Sequence, residues 1–121
     1  MQYLLLIYSA EAQWQKLSEA EGNKMLAEFG AFTQSIVSNG NYKGGNRLQP
    51  TAKATTVRVR DGKKLITDGP FAETKEQLGG YYLIEAKDLD EANEIAARIP
   101  GARLGSIEVR PIFEMQMPPV N

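Results

Sequence analysis

The chain of 121 residues contains neither cysteine nor histidine. The first absence excludes disulfides and thiolate nucleophiles, and the second excludes imidazole acid–base catalysis and the Ser-His-Asp triad. Together they remove the usual zinc ligands. The acidic residues match no EF-hand spacing, and no phosphate-binding glycine motif opens a helix. We therefore expect no metal and no cofactor.

Charge of one sign and long apolar runs are also missing. Fourteen Lys and Arg residues balance fifteen Asp and Glu residues, for a net charge of −1. The chain therefore has no global field that would attract nucleic acid or an anionic membrane. The apolar run at residues 3–8 is far shorter than the ~20 residues of a membrane helix, and it lacks the flanks of a signal peptide. The expected location is cytoplasmic, with neither nucleic acid nor membrane as a partner.

The spacing of apolar residues predicts two amphipathic helices among several strands. The first helix should run from about Glu19 to Asn39, because Ser18 and Glu21 have the spacing of a capping box. Asp88 should cap the second helix, which ends at Pro100-Gly101. The predicted strands are residues 2–8, 55–60 and 63–67 (joined by a type I′ turn at Asp61-Gly62), 81–86 and 106–113. Residues 41–52 are predicted to be an irregular loop.

This order predicts an α+β fold: a ferredoxin-like β-α-β-β-(β)-α-β subunit with its helices on one face of the sheet. Residues 1–114 should form the single domain, with 115–121 as a tail. Both faces of the first strand are apolar: Tyr3, Leu5 and Ile7 alternate with Leu4, Leu6 and Tyr8. The second face is too apolar for water, which predicts a homodimer through the sheet faces with a cavity between sheet and partner.

Residues 67–80 form an unusual, turn-rich segment. Pro70 restricts its own φ angle and that of Gly69, so Asp68 sits on a stiff turn. A carboxylate held in this way can serve as a general acid or base if burial raises its pKa. The alternative is that Asp68 stabilises the turn through the neighbouring backbone. Gly79-Gly80 indicates a close backbone approach or entry into a crowded strand.

The segment Thr67-Asp68-Gly69-Pro70-Phe71-Ala72-Glu73-Thr74-Lys75-Glu76, followed by Gly79-Gly80-Tyr81-Tyr82, resembles the signature of the YCII-related family in its DGPF-domain branch. The resemblance covers nearly the whole chain. It implies a dimeric α/β barrel, related to small cofactor-independent isomerases and monooxygenases. It also implies a regulatory role alongside extracytoplasmic-function sigma factors. Shorter family members carry a proposed His-Asp pair, and here Asp68 stands without the histidine.

The candidate site gathers polar and aromatic groups that could face the sheet cavity. The predicted ligand-binding residues are Tyr8, Asp68, Gly69, Pro70, Phe71, Glu73, Lys75, Tyr81, Tyr82 and Arg110, with Asp68 as the candidate catalytic residue. Tyr81 and Tyr82 should point to opposite faces, and Arg110 could pair with Glu108 instead of binding an anion. Trp14 is expected to pack on the first helical turn.

A second group of charges lies on the predicted hairpin. Arg58, Arg60, Lys63 and Lys64 could hold an anion, or could form a solvated edge that discourages strand pairing.

Two functions follow from these observations. The first is a non-catalytic homodimer that binds a small ligand or has a regulatory role, with a sigma-factor system as the partner suggested by the resemblance. The alternative is a cofactor-independent enzyme, isomerase- or monooxygenase-like, with Asp68 as its acid or base.

Overall fold

Strands and helices alternate along residues 1–114, the part of the chain that the computed structural model describes. The strands are β1 (Gln2–Ser9), β2 (Tyr42–Arg47), β3 (Thr55–Arg60), β4 (Lys63–Asp68), β5 (Gln77–Glu85) and β6 (Ser106–Pro111). The α-helices are α1 (Glu11–Gln15), α2 (Glu19–Ser38) and α3 (Leu89–Arg98), and single 3-10 turns occur at Thr51–Lys53 and Pro100–Arg103. The predicted tail, residues 115–121, lies outside the described residues.

The main sheet has four antiparallel strands in the order β2-β5-β1-β6. The two central strands, β1 and β5, pair along almost their whole length, from Gln2 opposite Glu85 to Ser9 opposite Gln77. The helices pack on one face of this sheet. The predicted ferredoxin-like α+β subunit is confirmed.

Alternation along β1 separates the two faces of the sheet. Tyr3, Leu5 and Ile7 are buried against the helices, whereas the residues between them are half-buried on the other face. The core beneath the helices consists of apolar side chains from the two central strands and from α2 and α3. Its members are Tyr3, Leu5, Ile7, Phe32, Ile36, Tyr82, Ile84, Ala86, Ala92, Ile95, Ala96 and Ile99.

Both predicted helices begin at their predicted caps. At the start of α2, Ser18 Oγ accepts from the Glu21 amide and the Ser18 amide donates to Glu21 Oε1, each at 3.1 Å. The bond from the Ser18 amide favours the ionised carboxylate and, together with the nearby Ser18 side chain, lowers the pKa of Glu21. At α3, Asp88 Oδ1 accepts from the Glu91 amide at 2.9 Å. Among residues 1–114, no helix is long and apolar enough to cross a membrane.

Residues 42–47 form β2 at one edge of the main sheet, so the prediction of an irregular loop at 41–52 is wrong. Gly44 and Gly45 have low strand propensity, so the residue pattern did not indicate a strand here. The strand forms by pairing with β5, and at Gly45 the two strands approach each other closely. A Cβ on Gly45 would lie 2.9 Å from both the Tyr81 carbonyl oxygen and Tyr82 Cδ1. Glycine is therefore required by the neighbouring strand.

The hairpin β3–β4 pairs only with itself and forms a separate two-stranded sheet, although its strands were expected in the main sheet. Its turn is as predicted, with φ of 52° at Asp61 and 73° at Gly62. The hairpin is thus an insertion between β2 and β5 of the ferredoxin-like order.

Candidate ligand-binding site

A cavity of about 770 Å³ lies between the first two helices and the β2–β5 edge of the sheet. Its volume is within the range of roughly 300–1,000 Å³ that accommodates small organic ligands. Helix residues on its wall are Trp14, Gln15, Leu26, Phe29 and Thr33, and the segment after β2 adds Leu48, Gln49 and Pro50. This cavity lies within one subunit, beside the helices, and the predicted sheet-to-sheet cavity would lie on the opposite face.

Aromatic rings form much of the wall. Trp14 and Phe29 have ring centroids 6.3 Å apart, and Tyr42 meets Tyr82 edge-on at 6.4 Å. Trp14 Nε1 donates to the buried Ser9 Oγ at 2.6 Å, which fixes the indole at the end of β1. The rings therefore present a fixed apolar surface to an occupant.

The carboxylate of Glu11 has partners already. Glu11 Oε1 accepts from the Thr51 amide at 2.9 Å, and Oε2 accepts from Thr51 Oγ1 at 3.2 Å. The Glu11 amide donates to Gln77 Oε1 at 2.9 Å. These bonds tie α1, the segment after β2 and the start of β5 together at one end of the cavity. Glu11 thus has a structural role in the cavity wall.

The hydroxyl of Tyr82 lies 2.7 Å from Thr33 Oγ1. Thr33 gives its single hydroxyl proton to the Phe29 carbonyl, at 2.9 Å, so Tyr82 must donate to Thr33. Tyr82 is 9% exposed, and its burial raises the pKa of the phenol above its ordinary value, with the nearby Tyr42 adding to the effect. Tyr82 is therefore a neutral hydrogen-bonding group at physiological pH.

Glycines form part of the cavity floor. Gly45 and Gly80 both line it, and a Cβ on Gly80 would lie 2.9 Å from the Asn46 carbonyl oxygen. The predicted close approach at Gly79-Gly80 is confirmed at Gly80. The floor is bare backbone because the two strands leave no space for side chains there.

The predicted site residues are divided among three places. Tyr81 and Tyr82 line the cavity, and the Tyr81 hydroxyl accepts from Asn46 Nδ2 at 2.8 Å. The two tyrosines alternate in burial along β5, as expected for opposite faces. Tyr8 is half-buried on the helix-free face of the sheet, the same face as Arg110. Arg110 Nη2 bonds Glu108 Oε2 at 2.6 Å, which raises the pKa of the guanidinium.

Asp68 ends β4 on the exposed hairpin, opposite Thr55. It does not line the cavity among the described residues. The base of the hairpin is closed by other groups: the Gly69 amide donates to the Ala54 carbonyl at 2.7 Å, and Thr56 Oγ1 donates to the Gly69 carbonyl at 2.8 Å. The catalytic role of Asp68 stays a prediction.

The rest of the signature loop lies on the surface. Phe71 is 78% exposed, and Pro70, Glu73 and Lys75 are exposed as well. Gly69 adopts a φ of 95°, a conformation that favours glycine. These residues are not brought together with the cavity in a single subunit, and their binding role stays a prediction. Within residues 1–114, no group of three or more acidic side chains could hold a metal ion.

Sequence reasoning missed most of the wall, above all Trp14, Phe29 and Thr33. Trp14 was expected to pack on the first helical turn; its ring lies near Phe29 of α2, its Nε1 donates to Ser9 of β1, and it also lines the cavity. The available signal was the pair of glycine dipeptides, Gly44-Gly45 and Gly79-Gly80. Two such dipeptides on neighbouring strands indicate a place where backbones approach something closely.

Removing the Tyr82 hydroxyl tests its burial. We expect Tyr82→Phe to lower the free energy of unfolding by about 1 kcal/mol at neutral pH, because a hydrogen bond to Thr33 is lost. The pKa of the Tyr82 phenol is higher in the folded protein than in the unfolded chain, where it is near 10. This difference stabilises the folded protein at pH values below the pKa of the unfolded chain, and the stabilisation is lost as the pH rises through the pKa of the folded protein. The variant should therefore lose less stability than the wild type in alkaline urea titrations. In a pH titration followed by tyrosinate absorbance, the variant should lack the phase that ionises at the highest pH, which we assign to Tyr82. If that phase persisted in the variant, the assignment to Tyr82 would be wrong.

Two comparisons with known proteins show the family of this chain. The model of the YCII-related domain matches residues 1–116. A protein of Rhizobium meliloti (strain 1021), described as uncharacterized, is 40% identical over 114 residues, which are 93% of this chain and 92% of the relative.

Proposed function

This chain belongs to the YCII-related family, and we propose that it binds a small, mostly apolar molecule of aromatic-ring size in the cavity beside α1 and α2. The observation that carries the proposal is the cavity itself, about 770 Å³ in volume and walled by aromatic and aliphatic side chains. Ligand sites combine such a wall with a few polar groups that orient the occupant. Here the polar groups are the Tyr82 hydroxyl and Arg47.

Binding without turnover suits the chemistry of the lining. Glu11 is engaged by Thr51, and Tyr82 is held neutral by burial. Among the described lining residues, no nucleophile is hydrogen-bonded to a base, which covalent catalysis needs. The alternative, a cofactor-independent enzyme using Asp68, draws no support from an exposed carboxylate on the hairpin. A regulatory role beside a sigma factor stays a prediction of the family resemblance.

We further propose that two chains associate through the helix-free face of the sheet. Leu4 and Leu83 lie opposite each other on this face, as do Leu6 and Tyr81. All four are half-buried apolar or aromatic side chains with no helix over them. Burial against a second copy would remove them from water, and a two-fold axis would give both copies the same contact.

The single tryptophan provides the test of ligand binding, because Trp14 lines the cavity. Anilinonaphthalene sulfonate, an apolar aromatic anion, should bind once per chain and receive energy from Trp14. We expect Leu26→Gln to weaken this binding about tenfold, since it removes an apolar wall contact worth about 1.4 kcal/mol.

The matched control is Val37→Gln on the same helix. Leu26 is 52% exposed and Val37 is 46% exposed, but only Leu26 lines the cavity. The control should bind the dye as the wild type does. Equal affinities for both variants, or binding without energy transfer from Trp14, would refute the cavity as the binding site.

A further inference from the structure

The hairpin β3–β4 lacks the packing that a two-stranded sheet needs. Every residue of β4 is exposed, and so are all residues of β3 except Thr56. An isolated two-stranded hairpin is marginally stable in water and needs a further apolar surface against it. Among residues 1–114, the hairpin shares a sheet with no other strand.

One face of the hairpin carries three apolar side chains at its centre, with Lys64 at one end and Thr55 and Asp68 at the other. Val57 lies directly opposite Ile66, and Val59 follows two residues further on the same face. Their side chains are 58%, 59% and 63% exposed in that order. Three exposed β-branched residues that are neighbours on one face form the kind of patch that marks an interaction surface.

The charges of the hairpin tip favour the body of another copy as the partner. Arg58, Arg60, Lys63 and Lys64 surround Asp61 at the tip, whereas the rest of the chain carries ten cations against fourteen carboxylates. A positive tip is attracted to a negative body and repelled by a second tip. On the helix-free face of the sheet Glu108 is already paired with Arg110, so it is the net negative charge of the whole body that attracts the tip.

We propose that the hairpin is an arm that each chain lays on the helix-free sheet face of a second copy. Val57, Val59 and Ile66 then pack on the half-buried apolar side chains of that face, and the cationic tip lies against the negatively charged body of that copy. Each copy has one arm and one such face, so a two-fold arrangement satisfies both at once. This inference rests on the homodimer in the proposed function and adds the segment that holds it together.

The test removes the apolar face of the arm while keeping its shape. Threonine is close in shape to valine and suits strands, so Val57→Thr/Val59→Thr/Ile66→Thr should leave the hairpin intact. We expect the dimer Kd, measured by sedimentation equilibrium, to rise at least about 100-fold, since both arms are altered. The control is Leu65→Thr, on the other face of the same hairpin and 47% exposed, which should change Kd less than about twofold.

A second measurement covers the case in which the triple variant fails to fold. The chain has no native cysteine, so Val59→Cys introduces a single thiol. Its maleimide labelling should be slow in the dimer and become fast on dilution below Kd. Labelling that is equally fast at all concentrations would overturn the arm.

The outcomes separate the two proposals. A triple variant that dimerises like the wild type overturns the arm and leaves the dimer standing. A wild type that is monomeric at every concentration overturns both the arm and the dimer, and dye binding in the cavity is then tested independently. A triple variant that is folded, monomeric and still binds the dye supports the arm.

Discussion

Replacing Gly105 by alanine is expected to lower the free energy of unfolding by at least about 3 kcal/mol. Gly105 immediately precedes β6, where the chain passes against the end of β1. An added Cβ would collide with the Tyr8 carbonyl oxygen and would lie 2.9 Å from Ser9 Cα. Both atoms belong to the backbone of a central strand, which cannot move aside without breaking the sheet. Urea unfolding followed by circular dichroism measures the loss.

The matched control is Gly30→Ala within α2. A Cβ there would meet nothing within 4 Å, and alanine is the better helix former. We expect a gain of roughly 0.5–1 kcal/mol, opposite in sign to the first variant. If Gly105→Ala unfolded at the same urea concentration as the wild type, the close approach to Tyr8 would be disproved.

Introducing a charge on the helix-free sheet face is expected to dissociate the proposed homodimer. Leu6→Lys places an ammonium group at the proposed contact in both copies, where it would be buried without a partner across the interface. We expect Kd to rise at least about a thousandfold, or about 4 kcal/mol. Light scattering should then fall from about twice 13.4 kDa to the mass of one chain.

Lysine is chosen at this position because the subunit itself can tolerate it. Leu6 is half-buried on a face that no helix covers, so in a single subunit the long lysine side chain can keep its ammonium group in water. Val37→Lys makes the same kind of change on α2, away from the sheet, and should leave the mass unchanged. A Leu6→Lys protein that keeps the dimer mass would argue against the sheet-face interface.

Features encoded locally were predictable from the sequence. The capping box at Ser18 and Glu21 involves residues three apart, and the turn at Asp61-Gly62 depends on the φ angles of two adjacent residues. The alternation of side chains along β1 likewise indicated which residues share each face of the strand. Each of these signals is complete within a few residues, so no knowledge of the tertiary fold was needed.

Strand β2 and the cavity depended on tertiary contacts. Gly45 is poor in intrinsic strand propensity, and its place in the sheet follows from the crowding of Tyr81 and Tyr82 across the ladder. The cavity forms where Trp14 bonds Ser9 and where α2 crosses the sheet edge. The spacing of residues along the chain indicates neither the bond between Trp14 and Ser9 nor the position of α2 at the sheet edge. The signature loop, in contrast, stood out in the sequence and proved to lie on the surface, because an unusual composition does not specify burial.

The glycine floor limits how this cavity can change during evolution or design. A methyl group on Gly45 or Gly80 would strike the neighbouring strand, so the depth of the cavity cannot be altered from below. Leu26 and Leu48, by contrast, are wall residues with exposed side chains, and larger or smaller replacements fit there without disturbing the core. Relatives that accept ligands of different size should therefore differ at these wall positions while keeping the floor invariant.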